Sequence, residues 1–246
     1  MSAPLAADGR TVVVAVDHPL YSWPCAGLED RASTIRVVAD AGADAIIAVY
    51  GTVRDVPEAF GGAAPILKLD VTTVTVGGDY PLTEYVAAYT VDDARRVGAA
   101  AVLTFVQLGA DFELEALRTA GQVAAASDRA DLSYVCEIMP VESARFPDPY
   151  DPVAIAAATR TAVELGASVV KTSMPTPPEA VAEATAFGVP VILAGGDLTS
   201  DRDRLFSAVD VAMRSGASGV AFGRNVWGAP DPAGTVSELA RIVHAR

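Results

Sequence analysis

The sequence predicts an α/β protein with the architecture of a single (β/α)8 TIM barrel, in which residues 1–246 form one domain. Three observations support this prediction. Eight short runs of β-branched or apolar residues recur along the chain, segments with helical spacing separate most of them, and no GxGxxG motif follows the first run. Strands that are apolar throughout are typical of parallel sheets buried on both faces. Eight such units in 246 residues favour a closed barrel over a doubly wound sheet, which usually has fewer strands.

The eight predicted strands are residues 11–17, 43–49, 64–70, 100–106, 131–137, 167–172, 189–195 and 217–223. Between most of them lie segments rich in Ala, Leu, Glu and Arg, such as "DRASTIRVVADAG", whose apolar residues recur at helical spacing. Five glycines follow segments of this kind, as expected for residues that end a helix: Gly42, Gly98, Gly166, Gly188 and Gly216.

Some connections differ from the regular pattern. The segment "RDVPEAFGG" at 54–62 predicts a short helix at most, and residues 72–85 predict a long loop at the active site. Proline-rich stretches at 145–152 and 174–179 follow predicted strands and precede predicted helices, so we interpret them as βα loops. In a barrel, loops of this kind build the catalytic face.

Composition limits the kinds of partner. Although 51% of the residues are hydrophobic, no uninterrupted run reaches the roughly 18 apolar residues of a membrane helix, and the N-terminus lacks a signal-type apolar segment. We therefore expect a cytoplasmic protein with no membrane partner. The formal charge of −13 and the pI near 4.5 would repel a phosphate backbone, so no nucleic acid partner is expected.

The cysteines and histidines do not predict a metal site. Cys25 and Cys136 form no CxxC motif, and His18 and His244 are too few and too far apart to complete a zinc ligand set. We interpret both cysteines as free thiols. No metal and no other cofactor is expected.

Polar residues at the carboxyl ends of the predicted strands are the candidates for catalysis. They are Asp17, Tyr50, Lys68, Asp70, Glu137 and Lys171. Lys171 stands out because the chain has only two lysines among 18 basic residues. Partial desolvation at the mouth of an apolar barrel, together with a second cation on a neighbouring strand, here Lys68, would disfavour its protonated form. A neutral amine can form a Schiff base with a ketone. The alternative is a snorkelling or salt-bridged lysine.

The roles of three further residues stay open at this level. Asp17 could pair with Lys171, orient a substrate hydroxyl or relay a proton, or it could simply cap a helix. Glu137 could relay a proton or form a salt bridge with a lysine. His18 follows Asp17 on the opposite face of the predicted strand, so we interpret it as structural.

The last two strands end in glycine-rich turns, "ILAGGDL" and "VAFGRNVW". Loops after strands seven and eight of (β/α)8 enzymes commonly bind phosphate through backbone N–H groups, and an arginine adds a forked cation. A phosphate site is therefore predicted at Gly195, Gly196, Gly223 and Arg224, and Lys68 is a further candidate for binding the substrate or its phosphate. Asp197 is an unfavourable neighbour for a phosphate unless it points away. The alternative is a set of plain turn glycines with a structural arginine.

Five motifs carry a family resemblance: "VAVDHPLYSWPCAGLED", "AGADAIIAVYGTVR", "VVKTSMP", "VPVILAGGD" and "GASGVAFGRNVW". In this order and spacing they resemble the class I (Schiff-base) aldolases of the archaeal-type fructose-bisphosphate and deoxyribose-phosphate aldolase (DeoC/LacD-like) superfamily. The resemblance spans about residues 11–245. It implies a (β/α)8 barrel, often oligomeric, in which Lys171 forms the imine. It also implies that Asp17 is the aspartate of the family's "DHG" motif and that the two glycine turns hold phosphate.

This sequence departs from the family pattern at several positions. Family members usually carry a tyrosine general acid after strand five, and Met139 stands there instead. Since methionine cannot transfer a proton, either Glu137 with a water molecule or Tyr50 is expected to take over. Glu137 also resembles the strand-five glutamate of tagatose-bisphosphate aldolases. The family's "DHG" is "DHP" here, and Asp197 follows the paired glycines, so a different substrate from the usual sugar bisphosphate is expected.

The sequence thus predicts a metal-independent class I aldolase that joins or splits a ketone donor, expected to be phosphorylated, and an aldehyde in a specialised biosynthetic pathway. Dihydroxyacetone phosphate is one such donor. A homo-oligomer is expected from the resemblance. Two alternatives remain: a catalytically silent barrel that binds a sugar phosphate, and a thiolase-like, acyl-transferring relative.

Overall fold

Eight parallel strands form the centre of the protein. The computed structural model describes residues 7–73, 75–76 and 84–245. The barrel strands are β1 (Thr11–Ala15), β2 (Ala45–Ala48), β3 (Ala64–Lys68), β4 (Ala101–Leu108), β5 (Ser133–Pro140), β6 (Val169–Ser173), β7 (Val191–Ala194) and β8 (Gly219–Phe222). Each pairs with the next along the chain, and β8 pairs with β1 to close the barrel. The predicted (β/α)8 fold is confirmed, and the assignment of residues 1–246 to one domain stays a prediction.

Helices connect the strands. They are α1 (Arg31–Asp40), α2 (Tyr50–Asp55), α3 (Val91–Arg96), α4 (Glu113–Ala130), α5 (Pro152–Glu164), α6 (Val181–Thr185), α7 (Arg202–Arg214), α8 (Arg224–Trp227) and α9 (Pro232–His244). Short 3₁₀ helices span His18–Leu20, Pro57–Phe60 and Pro178–Ala180, the second of them at the short helix predicted within 54–62. Within the described residues, no helix has both the length and the apolarity that crossing a membrane requires.

The interior of the barrel explains why charged side chains gather at one end. Side chains alternate between the two faces of a strand, and the inward positions are filled by small or branched residues. These are Val13, Ala15, Ala45, Ile47, Ile66, Ala101, Leu103, Val135, Val169, Ile192 and Ala221, all of them buried. Two positions beyond the last of these residues on β3, β5 and β6, the same face carries Lys68, Glu137 and Lys171. A charged layer therefore lies directly on the apolar filling.

β1 and β2 end before the candidate residues that follow them. β1 ends at Ala15, so Asp17 precedes the 3₁₀ helix His18–Leu20 instead of lying within a strand. β2 ends at Ala48, and Tyr50 is the first residue of α2. In both places the apolar run continues past the point at which the backbone leaves the sheet. The direction of a side chain therefore no longer follows strand alternation there.

Short strand pairs follow β1 and β3. Ser22–Trp23 pairs in parallel with Thr75–Val76, and Asp70–Thr72 pairs antiparallel with Tyr85–Ala87. The segment 72–85, predicted as a long loop, thus begins and ends with strand residues, and its positions 74 and 77–83 lie outside the described residues. The proline-rich stretches at 145–152 and 174–179 follow β5 and β6, as predicted.

A histidine near the C-terminus links three distant parts of the chain at the opposite end of the barrel. The ring of His244, the last residue of α9, has Nδ1 at 2.7 Å from Asp8 Oδ2 and Nε2 at 3.0 Å from Asp44 Oδ2. The same Asp44 oxygen accepts a hydrogen bond from the Val12 N–H at 2.7 Å. Burial lowers the pKa of His244, but the two carboxylates outweigh burial, so the net pKa is raised above 6.5.

This histidine predicts a pH-dependent stability. A raised folded-state pKa means that the interaction stabilises the fold fully below pH 6.5, the unfolded value, and that this stabilisation is lost as the pH rises through the folded pKa. We expect His244→Gln to lower the thermal unfolding midpoint more at pH 6 than at pH 9. Thermal melts of both proteins across this range test the prediction, and a difference independent of pH would contradict it.

Candidate active site

A cavity of about 790 Å³ opens at the carboxyl ends of the barrel strands. Eight of the ten predicted site residues line it: Asp17, Lys68, Glu137, Lys171, Gly195, Gly196, Gly223 and Arg224. Tyr50 and Asp70 are not among the lining residues. Within the described part of the chain, no group of three or more His, Cys, Asp or Glu side chains is placed to hold a metal ion.

Lys171 and Glu137 form a buried ion pair at the floor of the cavity. They lie opposite each other on the adjacent strands β6 and β5, because the parallel register pairs their Cα atoms. Lys171 Nζ is 2.6 Å from Glu137 Oε1, and the two residues are only 5% and 8% exposed. The salt-bridged alternative therefore describes the resting geometry of Lys171, while its position in the cavity keeps it within reach of a ligand.

Lys68 pairs with a different carboxylate. Its Nζ lies 2.6 Å from Asp70 Oδ1, with both side chains buried. The other Asp70 oxygen accepts hydrogen bonds from the Tyr85 hydroxyl and the Phe105 N–H. Burial lowers the pKa of Lys68, but the charges of Asp70, Asp17 and Glu137 outweigh burial and raise it overall. Lys68 is therefore an ammonium ion. The expectation that it lies on a strand next to Lys171 was wrong, since β4 and β5 separate β3 from β6.

Asp17 is a buried carboxylate at the edge of the same charged layer. Burial raises its pKa, but the adjacent His18 side chain and the charges of Lys68 and Lys171 lower it, and the net direction is downward. Asp17 is therefore ionised at neutral pH. Its Oδ1 lies 3.6 Å from Nδ1 of His18.

His18 lines the cavity, which corrects its placement on the opposite face. The physical reason is that β1 has already ended, so strand alternation does not reach this residue. The imidazole ring meets the Trp227 indole edge-on, with the ring centroids 5.2 Å apart. Trp227 in turn donates a hydrogen bond from Nε1 to the Ala15 carbonyl at 3.0 Å, which ties the end of β1 to α8.

Two glycines of the predicted turns, Gly195 and Gly223, have no room for larger side chains. A Cβ atom at Gly195 would lie 2.8 Å from the Phe222 ring, and one at Gly223 would lie 2.8 Å from Cε1 of His18. Gly196 has a φ of +66°, a conformation that favours glycine. Backbone at these turns can therefore approach a ligand closely.

Asp197 and Arg224 form an ion pair at the rim of the cavity. Arg224 Nη1 lies 2.6 Å from Asp197 Oδ1, and the aspartate side chain is 87% exposed. The carboxylate expected to be unfavourable near a phosphate is thus paired with the arginine expected to bind it.

Sequence reasoning missed Asn225, which holds the two glycine turns together. Its buried Nδ2 donates to the Gly195 carbonyl at 2.9 Å and to the Asp197 carbonyl at 2.8 Å. Its Oδ1 accepts from the Thr199 N–H at 3.0 Å. An amide directly after the "GR" pair was the available signal, since asparagine can bond several backbone groups of a loop at once.

Tyr50 lies apart from the charged residues that line the cavity. As the first residue of α2 it stacks on Tyr89, with ring centroids 4.6 Å apart, and it does not line the cavity. The structure therefore gives no support to Tyr50 as the substitute acid. Met139 does line the cavity, together with Gln107 and Tyr150, two residues not singled out from the sequence. A polar residue within an apolar strand and a tyrosine in a proline-rich βα loop were the signals available.

Fold and cavity together define a (β/α)8 enzyme with a buried lysine at the carboxyl end of its barrel. The family model described as "DeoC/LacD family aldolase" matches residues 11–229. The chain belongs to this family of aldolases.

Relatives and solved structures agree with this assignment. The chain is 35% identical over 237 residues to a 2-amino-4,5-dihydroxy-6-oxo-7-(phosphonooxy)heptanoate synthase of Streptomyces griseus, covering 96% of this chain and 85% of that protein. It is 35% identical over 245 residues to a 2-amino-3,7-dideoxy-D-threo-hept-6-ulosonate synthase of Halobacterium salinarum, covering 98% and 89%. A solved Schiff-base-forming fructose-1,6-bisphosphate aldolase is similar with a TM-score of 0.86 and 28% identity, covering 97% and 96% of the two chains.

The family resemblance found in the sequence is thereby confirmed. The protein is an aldehyde-lyase of the class I, Schiff-base type, from a family that acts on small phosphorylated substrates. The alternative of a catalytically silent barrel is set aside.

Proposed function

We propose that this aldolase forms or breaks a C–C bond between a phosphorylated ketone, such as dihydroxyacetone phosphate, and an aldehyde, through a Schiff base on Lys171. The observation that carries the proposal is the distance of 2.6 Å between Lys171 Nζ and Glu137 Oε1 inside the cavity. A carboxylate at this distance can take the ammonium proton and free the nitrogen lone pair for attack.

The chemistry follows from these two groups. The Lys171 nitrogen attacks the ketone carbon and gives a carbinolamine. Glu137 returns the proton taken from the ammonium group to the hydroxyl of this intermediate, which leaves as water, so that a protonated imine forms and the carboxylate is restored. Glu137 then removes a proton from the adjacent carbon, and the C–H electron pair moves into the enamine. The enamine carbon attacks the aldehyde, whose oxygen gains a proton, and water releases the product and the free lysine. Glu137 fits the role of proton carrier because Met139 cannot hold one and Tyr50 lies elsewhere.

The phosphate of the donor is assigned to the turns after β7 and β8. Gly195, Gly196 and Gly223 allow the backbone to approach it closely. Arg224 supplies a guanidinium group, which can donate two hydrogen bonds to a phosphate at once. Asp197, its present partner, is 87% exposed, so a phosphate can displace this carboxylate into water without leaving a buried unpaired charge.

The substrates are expected to belong to a specialised biosynthetic pathway. The two relatives at 35% identity are named as synthases of amino-substituted heptanoate and heptulosonate compounds. We therefore expect condensation to be the physiological direction, with dihydroxyacetone phosphate or a similar phosphorylated ketone as donor. Location in the cytoplasm and assembly into a homo-oligomer stay predictions.

Borohydride trapping tests the proposal. The protein is incubated with dihydroxyacetone phosphate, hydroxypyruvaldehyde phosphate or pyruvate and then reduced, and its mass is measured. We expect a stable adduct with at least one phosphorylated donor, located at Lys171 by peptide mapping, because reduction converts an imine into an amine that cannot hydrolyse.

Trapping is expected to be unchanged by EDTA, because the proposed electron sink is the iminium ion and not a metal. Loss of trapping and turnover on chelation, with recovery on adding zinc, would contradict the Schiff-base route. An adduct at Lys171 without any aldol cleavage or condensation would favour the acyl-transferring alternative.

A further inference from the structure

The order of the strands divides the cavity into two halves. The proposed phosphate site lies at β7 and β8, and Lys171 projects from β6 beside them. A donor held at both points has its reacting carbon directed towards the remaining strands, where the aldehyde must lie. Lys68 on β3 lines the cavity on the side of these remaining strands. Among the described lining residues, it is the lysine or arginine that faces inward on that side.

Lys68 is held in place by a dedicated anchor. Asp70 is 0% exposed, and one of its oxygens lies 2.6 Å from the Lys68 Nζ. The Tyr85 hydroxyl and the Phe105 N–H donate hydrogen bonds to the other Asp70 oxygen. The Phe105 ring covers the ammonium group, with the ring centroid 5.2 Å from Nζ. The long Lys68 side chain is thus restrained by the Asp70 carboxylate and by the Phe105 ring, and its remaining N–H groups can bind a ligand.

We infer that Lys68 binds the aldehyde oxygen and stabilises its negative charge while the C–C bond forms or breaks, with Asp70 as its positioning residue. The inference rests on the proposed function. During condensation the enamine electron pair forms the new C–C bond, the C=O pair moves onto oxygen, and this oxygen takes the proton that Glu137 carries. Lys68 contributes charge and hydrogen bonds and returns unchanged.

This role of Lys68 compensates for the absence of a tyrosine acid at the position of Met139. A tyrosine acid would both donate a proton and hold the oxygen, and here the two tasks are divided between Glu137 and Lys68. An ammonium ion suits the second task because the neighbouring carboxylates keep it charged in spite of burial and Asp70 already orients it, so little reorganisation is needed at the moment of reaction.

Two half-reactions separate this role from a structural one. Proton exchange at the reacting carbon of dihydroxyacetone phosphate in D₂O needs Lys171 and Glu137 but no aldehyde oxygen. For Lys68→Met we expect exchange and borohydride trapping within about threefold of wild type, and condensation or cleavage lowered roughly 10²–10³-fold, the usual loss for one oxyanion donor. Asp70→Asn should show the same selective loss, though smaller, since the lysine remains but loses its anchor.

The double variant Lys68→Met/Asp70→Asn controls for misfolding. It removes both charges of this ion pair, so the Asp70 carboxylate is not left buried without its cation. Arg118→Met on the exposed face of α4 is the matched control for loss of one cation, and it should leave both half-reactions unchanged. Equal loss of exchange and condensation in the Lys68 variants, or loss of neither, overturns the inference while the Schiff base at Lys171 stands. Absence of both trapping and exchange in the wild-type protein overturns the proposed function and this inference together.

Discussion

Replacing Lys171 with arginine is expected to abolish borohydride trapping and to lower C–C bond formation and cleavage by several orders of magnitude, while the fold is retained. Covalent catalysis needs a primary amine that can lose its proton, and a guanidinium group neither loses its proton nor forms an imine with a ketone. The fold should survive because arginine can still pair with Glu137, so the buried carboxylate is not left without a cation. Intact-mass analysis after reduction, alongside an assay of turnover, measures both effects.

Lys68→Arg is the matched control, since Lys68 and Lys171 are the only lysines in the chain. It should keep the single adduct at Lys171, because Lys68 is not needed to form the imine. Full trapping in the Lys171 variant together with no trapping in the Lys68 variant would show that the nucleophile lies on β3 and not on β6.

Strand alternation accounts for what could be predicted of the site. Glu137 and Lys171 lie two residues beyond Val135 and Val169, which fill the barrel interior, so the same face is inward at all four positions. The glycine turns were predictable for a similar reason, because a barrel strand that ends in glycine leaves its backbone accessible at the carboxyl end. Local sequence determines these features, and no knowledge of distant contacts is required.

The predictions from the sequence failed for residues at which the backbone has already left the strand, and for a residue whose ion-pair partner is held in place by a distant part of the chain. His18 lies past the actual end of β1, so alternation gave the wrong direction for its side chain. Tyr50 lies past the end of β2, where it begins a helix and does not line the cavity. The partner of Lys68 depends on a strand pair that buries Asp70 against Tyr85 and the backbone of β4. No periodicity within the sequence encodes a contact of this kind, so the charge balance of the cavity could not be predicted.

Replacing Glu137 with glutamine is the second large effect that we expect. Glutamine keeps the shape of the side chain and can still accept a hydrogen bond from Lys171, but it cannot take up a proton. Turnover should fall roughly 10²–10⁴-fold, the usual contribution of general acid–base catalysis. Trapping of dihydroxyacetone phosphate should be at least partly retained, because the lysine that forms the imine is still present.

Proton exchange distinguishes Glu137 from its neighbours. If Glu137 removes the proton from the donor carbon, exchange in D₂O must fall together with turnover in Glu137→Gln, whereas Lys68→Met should lose turnover and keep exchange. Both variants should therefore lose turnover, but only Glu137→Gln should also lose proton exchange, although the two residues lie in one buried layer. Unchanged turnover in Glu137→Gln would remove Glu137 from this role. Asp17, which lies in the same cavity and is ionised at neutral pH, would then be the carboxylate left to carry the proton.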